Sequence, residues 1–215
     1  MRKKYQHVIW DWNGTLLNDT WLCVEVLNHL SAKRKLAAIT VENYVQTFSF
    51  PAIKYYQSLG FDTQKDSFES ISREYINIYN QRRKECTLHQ GVREIIVTLK
   101  KQNIHQSILS AYRKDYLMDT LLAFEIKKYF LHISGLDNIY ANSKLVNGIK
   151  LLKNIEEDLD RVVMVGDTQH DFEVASGMGI DCLLLSHGHN HTDILGQCGC
   201  PVFKSIDCLK IFLGF

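Results

Sequence analysis

Apolar residues along this chain follow two rhythms. Short continuous runs such as VVMV and CLLL are bounded by glycine or polar residues, and between them apolar positions recur every three or four residues. The first rhythm predicts strands at His7–Trp10, Gln106–Ser110, His132–Ser134, Arg161–Val165, Cys182–Leu185 and Val202–Lys204. Runs without polar alternation belong to central parallel strands covered on both faces. The second rhythm predicts helices over Gly91–Lys101, Lys114–Glu125, Leu145–Asn154 and Asp171–Ser176. Strand alternating with helix predicts an α/β fold built on a doubly wound, mainly parallel sheet.

Residues 18–84 break that alternation. They hold no convincing strand, and in CVEVLNHL and FESISREYINIY the apolar residues keep a helical spacing. Pro51, one of two prolines, predicts a break in the helical pattern near Phe50. The expected organisation is an α/β core of residues 1–17 and 85–215 with a helical insertion, residues 18–84, between its first two strands.

Composition narrows the classes. With 215 residues, 46% hydrophobic and 23% charged, the chain suits one globular domain carrying an insertion. A net charge of +1 with no basic run gives no electrostatic reason to expect nucleic acid. The basic start Met1–Lys4 is not followed by an apolar stretch long enough for a signal peptide or a membrane span, so a cytoplasmic protein without a membrane partner is expected, as monomer or weak dimer. The six cysteines are then expected as free thiols. His187, His189 and His191 with Cys198 and Cys200 lack the usual spacing of structural zinc ligands, and a polar loop is expected there.

Candidate chemistry gathers at the ends of the predicted strands, where open α/β sheets bind ligands. In HVIWDWNGTLLND the first strand delivers Asp11 to a turn containing Gly14 and Thr15. A carboxylate held ionised there is a potential nucleophile toward phosphorus, or merely a cap of the turn. Ser110, followed by Ala111, offers a hydroxyl and backbone N–H groups to phosphate oxygens. Lys144 could neutralise both an attacking carboxylate and a transferring phosphoryl group. In VVMVGDTQHDFEVASGMGI, Asp167 ends a buried strand and Asp171 opens a helix. With Asp11 they make an oxygen-rich set suited to Mg²⁺, although helix capping alone would also explain Asp171.

Taken in order, DWNGTL, a serine after an apolar strand, a lysine and GDTxxxD resemble the four motifs of the haloacid dehalogenase superfamily. FEIKKYFLHISG, ANSKLVNGI and GHNHTDILGQCG resemble its phosphoglycolate-phosphatase-like branch, and the helical insertion resembles that branch's cap. The resemblance implies a phosphatase acting on a small phosphorylated metabolite, with Asp11 as nucleophile, Ser110 binding the phosphoryl group and Lys144 steadying it. It implies Mg²⁺ held by Asp11, the backbone carbonyl of Asn13 and Asp167, with Asp171 orienting metal-bound water or Lys144. Phe50, Lys54 and Tyr55 fall where such caps contact substrate, beside Gly14, Thr15 and Ala111 of the core.

One position departs from the pattern. Phosphatases resembling this chain carry a second acid where Asn13 stands, and it exchanges the proton with the leaving oxygen and the hydrolytic water. Loss of such a group costs roughly 10²–10⁴ in rate. Three readings follow: a slow phosphatase, a phosphonate hydrolase using a cap lysine such as Lys54, or a phospho-ligand-binding module with little turnover.

Overall fold

The computed structural model describes residues 5–137 and 144–215; the basic start Met1–Lys4 and Ala141–Ser143 of the ANSKLVNG stretch lie outside them. Strand β1 (His7–Trp10) leads through a short strand β2 (Leu17–Asn18) into helices α1 (Thr20–Lys33), α2 (Val41–Thr47), α3 (Ala52–Ser58) and α4 (Phe68–Arg82). Strand β3 (Thr87–Leu88) returns antiparallel to β2. The chain then alternates through α5 (Val92–Lys101), β4 (His105–Arg113), α6 (Lys114–Ala123), β5 (His132–Leu136), α7 (Lys144–Leu152) and β6 (Val162–Gly166). It finishes with α8 (Gln169–Met178), β7 (Asp181–Leu185), α9 (Thr192–Leu195), β8 (Val202–Phe203) and α10 (Ile206–Leu213).

The main sheet has the order β5-β4-β1-β6-β7-β8, and every pairing in it is parallel. This is the doubly wound arrangement expected from the alternating pattern, with the chain starting in the middle and running outward in both directions. The continuous apolar runs are explained by two covered faces. Val8, Trp10, Val163, Val165, Leu183 and Leu185 point into one core, shared with Ile95, Ile96 and Leu99 of α5. Ile9, Val162, Met164, Cys182 and Leu184 point the other way, onto Leu151 of α7 and Val174, Ala175 and Met178 of α8. Period-two alternation thus selects a core, not core against solvent.

The helical pattern breaks at Phe50–Pro51, as expected of proline: α2 ends at Thr47 and α3 begins at Ala52. The expectation of no strand in residues 18–84 needs correction, since Asn18 pairs with Thr87 in the β2–β3 ribbon. A two-residue strand has no periodicity to read. Among the described residues, no helix is long and apolar enough to cross a membrane.

Candidate active site

Four segments distant in sequence meet at the C-terminal edge of the sheet. The backbone N–H of Asp11 donates to Val165 O at 2.8 Å, which ties the first acid to the strand that delivers Asp167. Ser110 lies in β4 where its pairing with β5 shifts register, between Leu109 and Arg113. Lys144 opens α7, and Asp171 sits in the first turn of α8.

Lys144 joins these segments. Its Nζ donates to Asp11 Oδ1 and to Asp171 Oδ1, each at 2.5 Å, and all three groups are buried. Burial disfavours the ammonium, but the two carboxylates outweigh it and raise the Lys144 pKa. Asp171 also caps its helix: Oδ2 accepts from the N–H groups of Asp167 (3.1 Å) and Thr168 (2.9 Å) and from the Thr168 hydroxyl (2.6 Å). Capping and site chemistry are therefore two uses of one side chain, with each oxygen serving one of them.

Asp167 is fully buried and held from two sides, by the Thr15 hydroxyl on Oδ1 (2.5 Å) and the His189 N–H on Oδ2 (2.7 Å). The turn passes close above it. Gly14 has φ +74°, and a Cβ there would lie 2.2 Å from Asp167 Oδ2, so only glycine fits.

Asp11, Asp167 and Asp171 bring carboxylate oxygens within 4.8 Å of one another. Burial, together with neighbouring acids, pushes Asp11 and Asp167 above the ordinary carboxylate range, although Lys144 pulls Asp11 down and His189 pulls Asp167 down. Three buried carboxylates facing one ammonium leave negative charge in excess. A hard divalent cation offsets such an excess, and an all-oxygen donor set suits Mg²⁺.

Beside this cluster lies a second one. The Asn13 amide Nδ2 donates to Asp19 Oδ2 (2.7 Å) and to Tyr79 Oη (2.8 Å), and the Tyr79 hydroxyl donates to the same Asp19 oxygen (2.6 Å). Asp19 Oδ1 accepts from the Gly14 N–H at 2.8 Å and faces His189 Nε2 at 3.4 Å. Burial opposes charge on both partners of this pair, yet each holds the other ionised. Asp19 is lowered, and His189 is raised to about 9.

Removal of His189 strands Asp19 as a buried unpaired charge, so His189→Leu is expected to cost about 3–5 kcal/mol of stability. The contribution of the raised histidine is fully present below its unfolded pKa of about 6.5. It is lost as pH rises through about 9. Urea unfolding of wild type and variant should therefore show a gap at pH 6 that narrows above pH 9; a gap independent of pH would mean that packing, not charge, is lost.

A cavity of about 190 Å³ opens over Asp11, Ser110, Ala111, Lys144 and Asp171. Its remaining wall comes largely from α1–α4 and the segments between them, including Phe50 and Tyr55. Three expected substrate contacts are not there. Lys54 is exposed and absent from the wall, because the turn of α3 that turns Tyr55 inward leaves Lys54 outward. Gly14 and Thr15 are likewise outside the wall, their N–H and hydroxyl already engaged by Asp19 and Asp167.

A family model of the haloacid dehalogenase-like hydrolases matches residues 8–185. The chain belongs to this family. A protein of Caldanaerobacter subterraneus provisionally named pyrophosphatase PpaX is 24% identical over 183 residues, covering 82% of this chain and 80% of that one. A phosphoglycolate phosphatase of Pseudomonas fluorescens is 21% identical, with 86% and 70% covered. In the Pseudomonas savastanoi enzyme of that name the match spans 43% of its length. Among solved structures, the Mycobacterium tuberculosis protein tyrosine kinase A superposes with a TM-score of 0.82 at 20% identity, covering 99% of this chain and 100% of that one.

In this hydrolase three residues of the site escaped sequence reasoning. Asp19 and Tyr79 engage Asn13, and His189 pairs with Asp19. The expected polar loop is present at residues 186–191, but His189 and Asn190 within it are buried against the site. A signal did exist: HGHN directly follows the apolar run CLLLS, at the same strand edge as the other motifs.

Proposed function

We propose that this hydrolase is a Mg²⁺-dependent phosphatase that transfers the phosphoryl group of a small metabolite to Asp11, with residues 18–84 acting as the cap over the site. The observation that carries this reading is the bridging of Asp11 and Asp171 by Lys144 at the floor of the cavity. An Asp11 oxygen attacks phosphorus, the acyl-phosphate bond forms, and the leaving oxygen departs with its electron pair. Ser110 and the Ala111 backbone bind the phosphoryl oxygens, and Lys144 neutralises charge on nucleophile and phosphoryl group alike. Water then releases phosphate and restores Asp11.

Asp11, Asp167 and the Asn13 carbonyl are the proposed metal ligands, and Asp171 orients Lys144. When bound, the cation supplies charge neutralisation at the phosphoryl oxygens. Asp167→Ala removes a charged ligand from a site with few others, so the Mg²⁺ concentration for half-maximal activity is expected to rise at least roughly tenfold. Titrating Mg²⁺ into chelator-treated enzyme measures this directly. Activity indifferent to chelator would exclude the proposed chemistry.

The cap-lysine route to phosphonates loses its support with Lys54 outside the cavity, where Lys144 is the lysine of the wall among the described residues. A phospho-ligand-binding module keeps one observation in its favour, the absence of an acid at Asn13. Phosphate bound tightly without Mg²⁺-dependent turnover would decide for it.

A further inference from the structure

The part of the cavity beyond the phosphoryl position is largely aromatic and, among the described residues, holds no free lysine or arginine. Tyr44, Phe48, Phe50, Tyr55, Tyr75 and Tyr79 line it. Several of these rings already pack as aromatic rings prefer: Phe48 lies edge-on to Tyr55 at 5.2 Å and to Phe50 at 5.3 Å, and stacks on Tyr44 at 5.0 Å. No arginine lines the cavity among the described residues, and its one lysine, Lys144, is held between Asp11 and Asp171. His189 is taken by Asp19. His170, also in the wall, packs its ring on Phe50 at 4.6 Å and turns Nδ1 to Glu173 at 3.5 Å. A substrate whose far end is a carboxylate would thus be desolvated with no lysine or arginine to pair it, and would meet only the His170 Nε2 and the Tyr55 hydroxyl. A flat apolar group needs no such partner; an apolar cavity of roughly 150 Å³ suffices to hold benzene, and the whole cavity, phosphoryl position included, measures about 190 Å³.

Asn13 points independently to the same substrates. Both protons of its amide are committed, to Asp19 and to Tyr79. A leaving group here departs without a proton from residue 13. Phenols ionise near pH 10, as tyrosine does, whereas an aliphatic alkoxide is about as basic as hydroxide and so a far poorer leaving group. Only the former leaves readily unaided.

We propose that the preferred substrates are small aryl phosphate monoesters, with the ring in the aromatic cavity and the phosphoryl group over Asp11. This rests on the phosphatase reading above. The P–O(aryl) bond breaks as the Asp11–phosphorus bond forms, and phenolate leaves with the electron pair and takes its proton from solvent. Water then attacks phosphorus, its proton goes to bulk, and inorganic phosphate and the Asp11 carboxylate are regenerated.

The test uses Mg²⁺-loaded enzyme and five probes: phenyl phosphate, benzyl phosphate, 2-phosphoglycolate, acetyl phosphate and a phosphotyrosyl peptide. Phenyl phosphate is expected to exceed 2-phosphoglycolate in kcat/KM by roughly ten- to hundredfold, the value of burying one ring. Benzyl phosphate keeps the ring but has an alkoxide leaving group, so it should inhibit competitively and turn over roughly 10²-fold more slowly than phenyl phosphate. Phe50→Ala, at a half-buried wall position, should lower the ratio of phenyl to acetyl phosphate kcat/KM about tenfold. A phosphotyrosyl peptide separates a protein source of the ring from a free aryl phosphate, and its turnover in preference to phenyl phosphate would overturn the small-molecule assignment. If 2-phosphoglycolate matches or exceeds phenyl phosphate while acetyl phosphate is hydrolysed, the aryl class is wrong and the phosphatase reading stands. If acetyl phosphate is not hydrolysed and no phosphoenzyme forms, the phosphatase reading itself fails, and this inference with it.

Discussion

Asp11→Asn is expected to abolish turnover, by roughly 10⁴–10⁶-fold, because it removes the proposed nucleophile and no neighbouring group replaces it. Asp171 has both oxygens engaged by Lys144 and the helix cap, and Asp167 has both engaged by Thr15 and His189. Neither is free to turn toward phosphorus. The variant should still fold, since it removes one of three crowded acids and with it part of the charge excess at the floor of the cavity. Steady-state assay, acid-quench trapping of phosphoenzyme and thermal unfolding together check this. Activity within tenfold of wild type in a folded variant would exclude the covalent route.

Asn13→Asp carries the second large effect, with opposite sign. A carboxylate at position 13 would lie about where the amide now sits, 2.7 Å from Asp19 Oδ2. Two buried carboxylates in contact share one proton and titrate as a pair, so position 13 would hold a proton well above the usual carboxylate range. Such a proton is what an alkoxide leaving group lacks in the wild type. Hydrolysis of alkyl phosphates is expected to rise by up to roughly 10²–10⁴-fold, with a much smaller gain for aryl or acyl phosphates. The variant should also lose stability, about 1–3 kcal/mol for the hydrogen bonds given up by Asp19 and Tyr79. Because the folded pair binds its proton more tightly than the unfolded chain does, that deficit grows as pH rises above about 4.

Asn13-Gly14 is a dipeptide prone to deamidation, so an aged sample can acquire Asp or isoaspartate at position 13. Mass spectrometry of that peptide belongs with every assay. If enzyme verified to carry Asn13 matches the Asp variant on an alkyl phosphate, the proton comes from another group.

What could be read without the structure was read from local patterns. The continuous runs VVMV and CLLL announced strands buried on both faces, and the paired cores around β6 and β7 bear that out. Asp11, Ser110, Lys144, Asp167 and Asp171 stood out because each follows or ends a strand, or opens a helix, and parallel strands present all such ends at one edge. Gly14 announced a turn, though neither its positive φ nor that Asp167 and His189 would lie against it.

The sequence by itself therefore determined the α/β alternation, the helical insertion and which acids gather at one sheet edge, because backbone periodicity and strand-end position are local properties. Only the tertiary structure decided what Asn13 does, that Lys54 stays in solvent, and that Asp19, Tyr79 and His189 form one buried network. Asn13 and Asp19 are close in sequence, but Tyr79 lies 60 positions from Asp19 and 66 from Asn13, and His189 is farther still from Asp19; no local pattern encodes which side chain meets which across such a distance. The same holds for the cavity. Its aromatic residues read locally as ordinary core, and their enclosure of an open space above Asp11 follows only from how α1–α4 pack over the sheet edge.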